Sequence, residues 1–232
     1  MRKYCIVNST NSIFTEKIEG YGYTCIGTEK STNVSVPIAL HADVLYNIVD
    51  GNFVVSDCQQ SNISFLENMG FKVLSEHLEE GYRTECKLNF VLENGTLVYN
   101  PSTVTDLLVD YKADTNIVVK QGYTKCSTVV LSKDDFITED SGIYNALISA
   151  GKNCLLIEKS YVKLEGYDYG FIGGASVFLK NENTLMFFGD ITVHQHYEQI
   201  KSFCEKCNVK VDYISKIPLE DIGGAVIFNA EK

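Results

Sequence analysis

The chain has 232 residues, of which 45% are apolar and 22% charged, and this is the composition of an ordinary globular protein rather than a disordered or fibrous one. Its 20 basic and 30 acidic residues give a net charge of −10, which repels phosphate backbones and anionic lipids. We therefore expect no nucleic-acid partner and no membrane partner. The length predicts one domain over residues 1–232.

The N-terminal segment and the cysteines predict the compartment. The first apolar run ends after a few residues, so this segment does not resemble a secretory signal. The eight cysteines are spread along the chain, and Cys25 and Cys154 lie inside apolar, strand-like runs, which is typical of reduced thiols. The sequence therefore predicts a cytoplasmic protein.

One succession of elements recurs along the chain: a strand, a tight polar turn, a second strand, an amphipathic helix and a third strand. The turn Asp50-Gly51-Asn52 is a hairpin signal, and Gly151 follows a predicted helix as a stop signal. After an initial strand at 4–7, a helix at 13–18 and a strand at 24–26, the four complete units follow in order: strands 43–48, 53–55 and 72–74 with helix 62–69; strands 88–92, 96–99 and 116–119 with helix 103–111; strands 127–131, 136–138 and 154–157 with helix 141–150; and strands 175–179, 185–188 and 209–211 with helix 196–207.

The two ends of the chain supply a fifth unit. The final strand at 225–228 has no partner within its own segment, and the strand, helix and strand at the N-terminus lack a first strand. Joined together, they complete a fifth copy with a period of about 46 residues, which indicates repeated units side by side or in a ring. Pairing of the last strand with the first removes an open edge and favours a closed ring. We therefore predict an α/β fold of five ββαβ units, an α/β propeller.

Three short motifs carry a resemblance to a known superfamily. The segment His41-Ala42-Asp43-Val44, followed by a hairpin, resembles the histidine motif of arginine deiminase. The glycine pairs at 173–174 and 223–224 resemble those that open strands in the same enzymes. The five-unit ring and these motifs together resemble the pentein, or guanidino-group-modifying, fold, and segments 120–128 and 169–174 are similar to an uncharacterised bacterial family of that fold. In its characterised enzymes a cysteine attacks the guanidinium carbon, a histidine transfers the proton of the leaving amine, and carboxylates hold the guanidinium.

Alternation of side chains along a strand predicts which residues share one face. Counted back from the second strand of each unit, His41, Asp43, Glu85, Lys87 and Cys126 fall on the same face, and Cys86 falls on the other. The resemblance implies that His41 and Asp43 face the central channel, so the others are expected there too. The predicted site has Cys126 as nucleophile and His41 as acid or base, and its substrate-binding residues are Asp43, Glu85, Lys87, Gly173 and Gly174.

Cys86 is the alternative nucleophile. Lys125 should favour a thiolate at Cys126, whereas Glu85 should oppose one at Cys86. In arginine deiminase, however, the cysteine unit follows the histidine unit, and that order selects Cys86. The resemblance also implies a glutamate before the glycine pair at 223–224, where this chain has Ile222, with Asp221 out of register.

No metal and no cofactor are expected. His194 and His196 lie one predicted helix away from Cys204 and Cys207, roughly 12 Å at 1.5 Å per residue, and this is too far for one zinc ion. The glycine-rich segment 166–174 lacks the lysine and hydroxyl residue of a phosphate loop.

Two functions follow from the resemblance and the predicted site. The first is a cysteine-dependent hydrolase or transferase that acts on a small guanidinium- or amidine-bearing molecule in the channel. The second is a binding module of the same fold without catalysis, since fold does not fix function. The expected partner is a small molecule, and the oligomeric state stays open.

Overall fold

A computed structural model describes residues 1–108 and 110–231. Within these residues the strands form five sheets of three strands each, and every sheet has the same internal order. The strands are β1 (Arg2–Val7), β2 (Tyr23–Gly27), β3 (Tyr46–Val49), β4 (Asn52–Ser56), β5 (Val73–Glu76), β6 (Val91–Glu93), β7 (Thr96–Tyr99), β8 (Thr115–Val118), β9 (Thr128–Val130), β10 (Asp135–Thr138), β11 (Asn153–Leu156), β12 (Ser176–Leu179), β13 (Thr184–Phe187), β14 (Lys210–Tyr213) and β15 (Ala225–Ala230).

The middle strand of each sheet is antiparallel to one neighbour and parallel to the other. In four sheets the antiparallel neighbour precedes it in the chain, as β3 precedes β4, and the parallel neighbour follows it, as β5 does. The antiparallel pair is joined by a hairpin, whereas the parallel pair needs a longer crossover. Each sheet is therefore one strand-strand-crossover-strand unit, as the repeat predicts.

Turns and caps show why the local sequence folds in this way. Asp50 and Gly51 both have positive φ, as do Asn94 and Gly95, and this is the conformation that two-residue hairpin turns require. The helices are α1 (Ser12–Glu19), α2 (Ala42–Leu45), α3 (Gln60–Asn68), α4 (Tyr82–Glu85), α5 (Ser141–Ser149) and α6 (Tyr197–Lys206). Asp140 caps α5 by accepting a hydrogen bond from the Ile143 N–H at 2.9 Å.

The ring is closed by the two ends of the chain. In the fifth sheet β1 pairs antiparallel with β15, from Arg2 opposite Ala230 to Val7 opposite Ala225, and parallel with β2. First strands from all five sheets line one central cavity. The predicted ring of five units, closed by the terminal strands, is therefore confirmed.

Two predicted elements are wrong. The predicted helix at 103–111 is a single 3-10 turn at Asp106–Leu108, with residue 109 outside the described residues. β-Branched residues at 103–105 disfavour a helix, and the Thr105 hydroxyl bonds the Glu76 carboxylate instead. The predicted strand at 43–48 begins with the helical turn α2, so only Tyr46–Val49 is extended.

The helices within residues 1–108 and 110–231 are short. None of them has the length and apolar character that a membrane crossing requires.

Aromatic packing joins the closing strand to the next unit. The Phe228 ring stacks on Tyr4 at 5.3 Å between centroids and meets Phe53 and Phe71 edge-on at 5.0 and 5.4 Å. Phe228 is buried, whereas Phe65, which also contacts Tyr4, is 38% exposed. These contacts make Phe228 the anchor of β15 on the unit of β3, β4 and β5.

We expect Phe228→Ala to lower the free energy of unfolding by about 3–5 kcal/mol, because a large buried ring is lost and leaves a cavity. The control Phe65→Ala should cost less than about 1 kcal/mol, since the ring is partly exposed. Urea denaturation followed by circular dichroism measures both. Equal losses would show that Phe228 does not anchor the ring.

Deletion of residues 225–232 should leave β1 as an unpaired edge and produce a chain that aggregates or unfolds without a cooperative transition. Thermal melting and size-exclusion chromatography report the outcome. An unchanged cooperative melt of the shortened chain contradicts closure by β15.

Candidate active site

His41 reaches the channel because a glycine lets two backbone segments approach closely. His41 is the N-cap residue of α2, and the Asp43 N–H donates to the Gly223 carbonyl at 2.9 Å. Gly223 has a φ of 83°, and a Cβ at this position would overlap His41. The glycine motif at 223–224 is therefore needed to place the imidazole.

Asn89 fixes the position of the Cys126 thiol. Its Oδ1 accepts hydrogen bonds from the backbone N–H groups of Lys125 at 2.8 Å and Cys126 at 3.1 Å. Its Nδ2 donates to Cys126 Sγ at 2.9 Å and to the Asp43 carbonyl at 3.0 Å. One buried amide therefore holds the thiol, its backbone and the start of α2 in one arrangement.

The imidazole of His41 lies between two buried carboxylates. His41 Nδ1 is 3.6 Å from Asp221 Oδ1 and 4.0 Å from Asp43 Oδ1. Asp221 is oriented by backbone N–H groups, from Phe171 at 2.8 Å and Gly223 at 3.0 Å. Burial raises the pKa of the Asp221 carboxyl to about 6, while the nearby imidazole acts in the opposite direction.

A cavity of about 230 Å³ opens beside these groups, and we call it the aromatic cavity. Cys126, His41 and Asp221 form its polar end. Its remaining walls are Ile38, Tyr123, Leu164, Tyr167, Asp168, Tyr169 and Phe171. The described lining carries carboxylates and aromatic rings but no lysine or arginine, so the cavity suits a cation.

The thiol of Cys126 is neutral in this environment. Cys126 is 2% exposed, and burial, followed by the charges of Asp43 and Asp221, raises its thiol pKa well above the usual value. The charge of a Cys126 thiolate raises the pKa of the Lys125 ammonium, so Lys125 acts in the expected direction, but burial is the largest effect on the thiol. The Lys125 ammonium also donates to the Tyr46 carbonyl at 3.3 Å, and burial lowers its own pKa.

The structure brings His41, Asp43 and Cys126 together but places Glu85 and Lys87 elsewhere. The Glu85 carboxylate accepts hydrogen bonds from the Ser35 hydroxyl at 2.8 Å and from the Tyr123 hydroxyl at 2.5 Å, so it supports a wall of the aromatic cavity from behind. The Lys87 ammonium pairs with the Glu76 carboxylate at 3.0 Å. The face prediction fails for both residues because 82–85 is helical, and alternation applies only to extended backbone.

The remaining predicted residues also have defined places. Gly173 lines the second, larger cavity of the channel. The Gly174 N–H donates to the Cys126 carbonyl at 3.0 Å, and a Cβ on Gly174 would overlap Asp221. Cys86 is buried beside Gly122, and burial raises the pKa of its thiol. Cys126 rather than Cys86 shares a cavity with His41.

Sequence reasoning missed Asn89, Asp221 and the aromatic wall at Tyr123, Tyr169 and Phe171. Asn89 had a local signal, since it is a polar residue inside the apolar run 88–92. Asp221 was set aside as out of register with the glycine pair, but the segment before β15 is not extended. Across the described ranges, histidine, cysteine, aspartate and glutamate form no group of three or more suited to a metal ion.

Comparison with solved structures identifies the class of fold. The chain is similar to C. jejuni agmatine deiminase, with 10% identity, 92% of this chain and 88% of that chain covered and a TM-score of 0.55. It is similar to DDAH from Pseudomonas aeruginosa in complex with citrulline, with 8% identity, coverage of 98% and 100% and a TM-score of 0.56. It is also similar to SxtG, an amidinotransferase from Microseira wollei, with 8% identity, coverage of 91% and 88% and a TM-score of 0.55.

These structures have the pentein fold, so the predicted fold class is confirmed. A family model described as "Family of unknown function (DUF6873)" matches residues 6–226, and the chain belongs to that family. Comparison with curated proteins gives no match.

A buried carboxyl outside the aromatic cavity gives a pH-dependent prediction. Glu139 is 3% exposed, its Oε1 has no hydrogen-bond partner among the described residues, and burial raises its pKa to about 8. Between pH 4.5 and about 8 the folded chain retains a proton that the unfolded chain has lost. The free energy of unfolding therefore falls as pH rises through this window, by up to about 1.4 kcal/mol per pH unit.

From pH 5 to pH 8 we expect the free energy of unfolding of the wild-type chain to fall by about 2–4 kcal/mol more than that of Glu139→Gln. Glutamine has nearly the same size and shape as glutamate but does not titrate. Urea unfolding at the two pH values measures this difference. The control Glu67→Gln, at an exposed helical position, should follow the wild type. Parallel pH profiles for wild type and Glu139→Gln would contradict a buried, protonated Glu139.

Proposed function

We propose that the protein is a cysteine-dependent hydrolase or transferase that acts on a small guanidinium- or amidinium-bearing molecule in the aromatic cavity. One observation carries the proposal: a nucleophilic side chain, an imidazole and a buried carboxylate, at Cys126, His41 and Asp221, share a cavity whose described lining has no lysine or arginine. Nucleophile, proton carrier and cation binding site are thus adjacent.

Recognition of the ligand would rest on charge and on ring faces. Asp221 lies at the closed end and Asp168 is exposed, so carboxylates are present at the inner end and at the rim. A planar amidinium donates two parallel hydrogen bonds to one carboxylate. The Lys159 ammonium already lies 5.9 Å from the centre of the Tyr169 ring. The face of Phe171, against which Tyr169 packs edge-on at 6.3 Å, attracts the delocalised cation.

A bound cation would also activate the thiol. The charge of Asp221, which lines the aromatic cavity, is one of the effects that raise the pKa of Cys126, so a cation paired with Asp221 reduces that effect and favours the thiolate. The Cys126 thiol gives its proton to His41, the thiolate forms a bond to the amidine carbon, and His41 passes that proton to the departing amine as the C–N bond breaks. In a hydrolase, water then displaces the sulfur from this carbon and the thiol recovers a proton; in a transferase, an acceptor amine replaces water.

The second candidate is a binding module of the same fold. The neutral thiol, held by Asn89 and almost fully buried, favours this candidate because a resting nucleophile is usually more acidic. Both candidates share a small cationic ligand and differ in whether a covalent bond forms. For either one we propose the cytoplasm as the compartment, supported by eight free cysteines.

A matched pair of alkylating agents, 2-chloroacetamidinium and neutral 2-chloroacetamide, tests the proposal. Cys25 serves as the internal reference because it is half-buried, lies outside the aromatic cavity and has its thiol pKa lowered by a hydrogen bond from Cys5. For each cysteine, the rate of alkylation by the amidinium is divided by the rate of alkylation by the amide. We expect this ratio to be at least about tenfold larger at Cys126 than at Cys25. Peptide mass spectrometry over time measures both rates.

Asp221→Asn should reduce this preference about tenfold, since it removes one charge-assisted contact. The control Asp106→Asn, on an exposed turn, should leave the preference unchanged. Equal ratios at Cys126 and Cys25 overturn the enzyme proposal. Stabilisation of the chain by unreactive acetamidinium, without a Cys126 adduct, would support the binding module in its place.

A further inference from the structure

The channel contains a second cavity, of about 460 Å³, which we call the hairpin-side cavity. First strands of all five sheets line it, and its rim includes the hairpin turns at Asp50 and at Asn94 and Gly95. Among the described residues it has no lining residue in common with the aromatic cavity. The two cavities are therefore separate spaces in the ring.

Polar groups without partners lie at the inner end of the hairpin-side cavity. Asp43 is 2% exposed and Thr128 is 3% exposed. Neither carboxylate oxygen of Asp43, nor the hydroxyl of Thr128, has a hydrogen-bond partner among the described residues. Both residues line the cavity, and an unsatisfied buried polar group is costly.

A cation faces the same space. Lys125 lines the hairpin-side cavity, and the one hydrogen bond that its ammonium donates within the described ranges goes to the Tyr46 carbonyl at 3.3 Å. An ammonium has three donors, so two remain for a ligand. The charge of Asp43 acts on this ammonium and raises its pKa against the effect of burial. One group of each sign is thus present at one end of one cavity.

Aliphatic side chains contribute part of the walls beyond this polar end, beside polar residues such as Asn47 and Ser176. Val91, Val129, Val177, Val226 and Ile227 all line the cavity. At the rim the Lys180 ammonium pairs with the Glu93 carboxylate at 2.5 Å, so these two charges neutralise each other. A complementary ligand therefore has an aliphatic body and a head that carries one positive and one negative charge.

We propose that the hairpin-side cavity binds a small zwitterionic α-amino acid with an aliphatic side chain. Its ammonium pairs with Asp43, its carboxylate pairs with Lys125 and accepts a hydrogen bond from the Thr128 hydroxyl, and its side chain lies along the valines. Charge-assisted hydrogen bonds of this kind form in a low dielectric environment, where they are strongest. The site is separate from the aromatic cavity and does not depend on catalysis at Cys126.

Isothermal titration calorimetry with L-leucine and two singly charged analogues tests the proposal. 3-Methylbutylamine lacks the carboxylate of leucine, and 4-methylpentanoate lacks its ammonium. We expect leucine to bind at least about tenfold more tightly than either analogue, because each analogue leaves one buried charge without a partner. Equal affinities for the three compounds, or no heat of binding at millimolar leucine, would overturn the proposal.

Variants locate the site. Lys125→Met should weaken the binding of leucine at least about tenfold and leave the binding of 3-methylbutylamine unchanged. The control Lys133→Met, at an exposed lysine of the same unit, should leave the binding of both compounds unchanged. Thr128→Val, which replaces the hydroxyl by a methyl group, should weaken the binding of leucine about threefold to tenfold. This variant tests the site even if Lys125→Met does not fold. Leucine binding that survives both Lys125→Met and Thr128→Val contradicts the assigned site.

Tyr169→Ala separates this proposal from the proposed function. The substitution alters only the aromatic cavity, so it should weaken acetamidinium binding and leave leucine binding unchanged. Loss of leucine binding in Tyr169→Ala would place leucine in the aromatic cavity and overturn the second site.

Discussion

The structure depends on one geometric constraint, the convergence of five first strands on a single axis. The segments that precede these strands must cross near the axis, where there is no room for side chains at every position. Gly223 passes against His41, and Gly174 passes against Asp221, so closely that a Cβ on either glycine would overlap its neighbour. The same close approach that demands glycine therefore brings an imidazole and a carboxylate together at the centre of the ring.

The hydrogen bonds of Asn89 fix the relative positions of the segments that meet near the axis. Its side chain bonds the thiol and backbone of Cys126 as well as the Asp43 carbonyl, so it connects three consecutive units, those of β3–β5, β6–β8 and β9–β11. Each such bond contributes only about 1 kcal/mol, but loss of the amide would leave several buried groups unsatisfied at once. The thiol is therefore positioned by a residue that has no chemistry of its own.

The repeat and the ring could be predicted because their signals are local. Turns such as Asp50-Gly51 and Asn94-Gly95 encode hairpins within a few residues, and the unpaired strands at the two termini indicate how the ring closes. The site was harder to predict because residues 42–45 and 82–85 form helical turns. Side chains alternate between two faces only in extended backbone, so counting residues along the chain does not show which side chains of these turns share a face. Lys87 was therefore misplaced.

Asp221 shows a different limit of sequence reasoning. It is far from His41 in sequence, and contact between them depends on how the loop before β15 crosses the axis, where Asp221 accepts the Phe171 and Gly223 N–H groups. No periodicity along the chain encodes that crossing. The strand register places Cys126 in the channel on the assumption that its segment is extended. In the structure Cys126 lies in a turn that precedes β9 and still lines the channel.

The layer between the two cavities links their electrostatics. Lys125 and Cys126 are consecutive residues that line opposite cavities, and the charge of Asp43 acts on both, raising the pKa of the ammonium and of the thiol. A cation that pairs with Asp43 in the hairpin-side cavity, or with Asp221 in the aromatic cavity, reduces the effect of that carboxylate on the thiol and lowers the thiol pKa. By thermodynamic linkage, formation of the thiolate in turn strengthens binding of that cation. Two buried carboxylates, one at each cavity, thus make the acidity of Cys126 depend on what occupies both cavities.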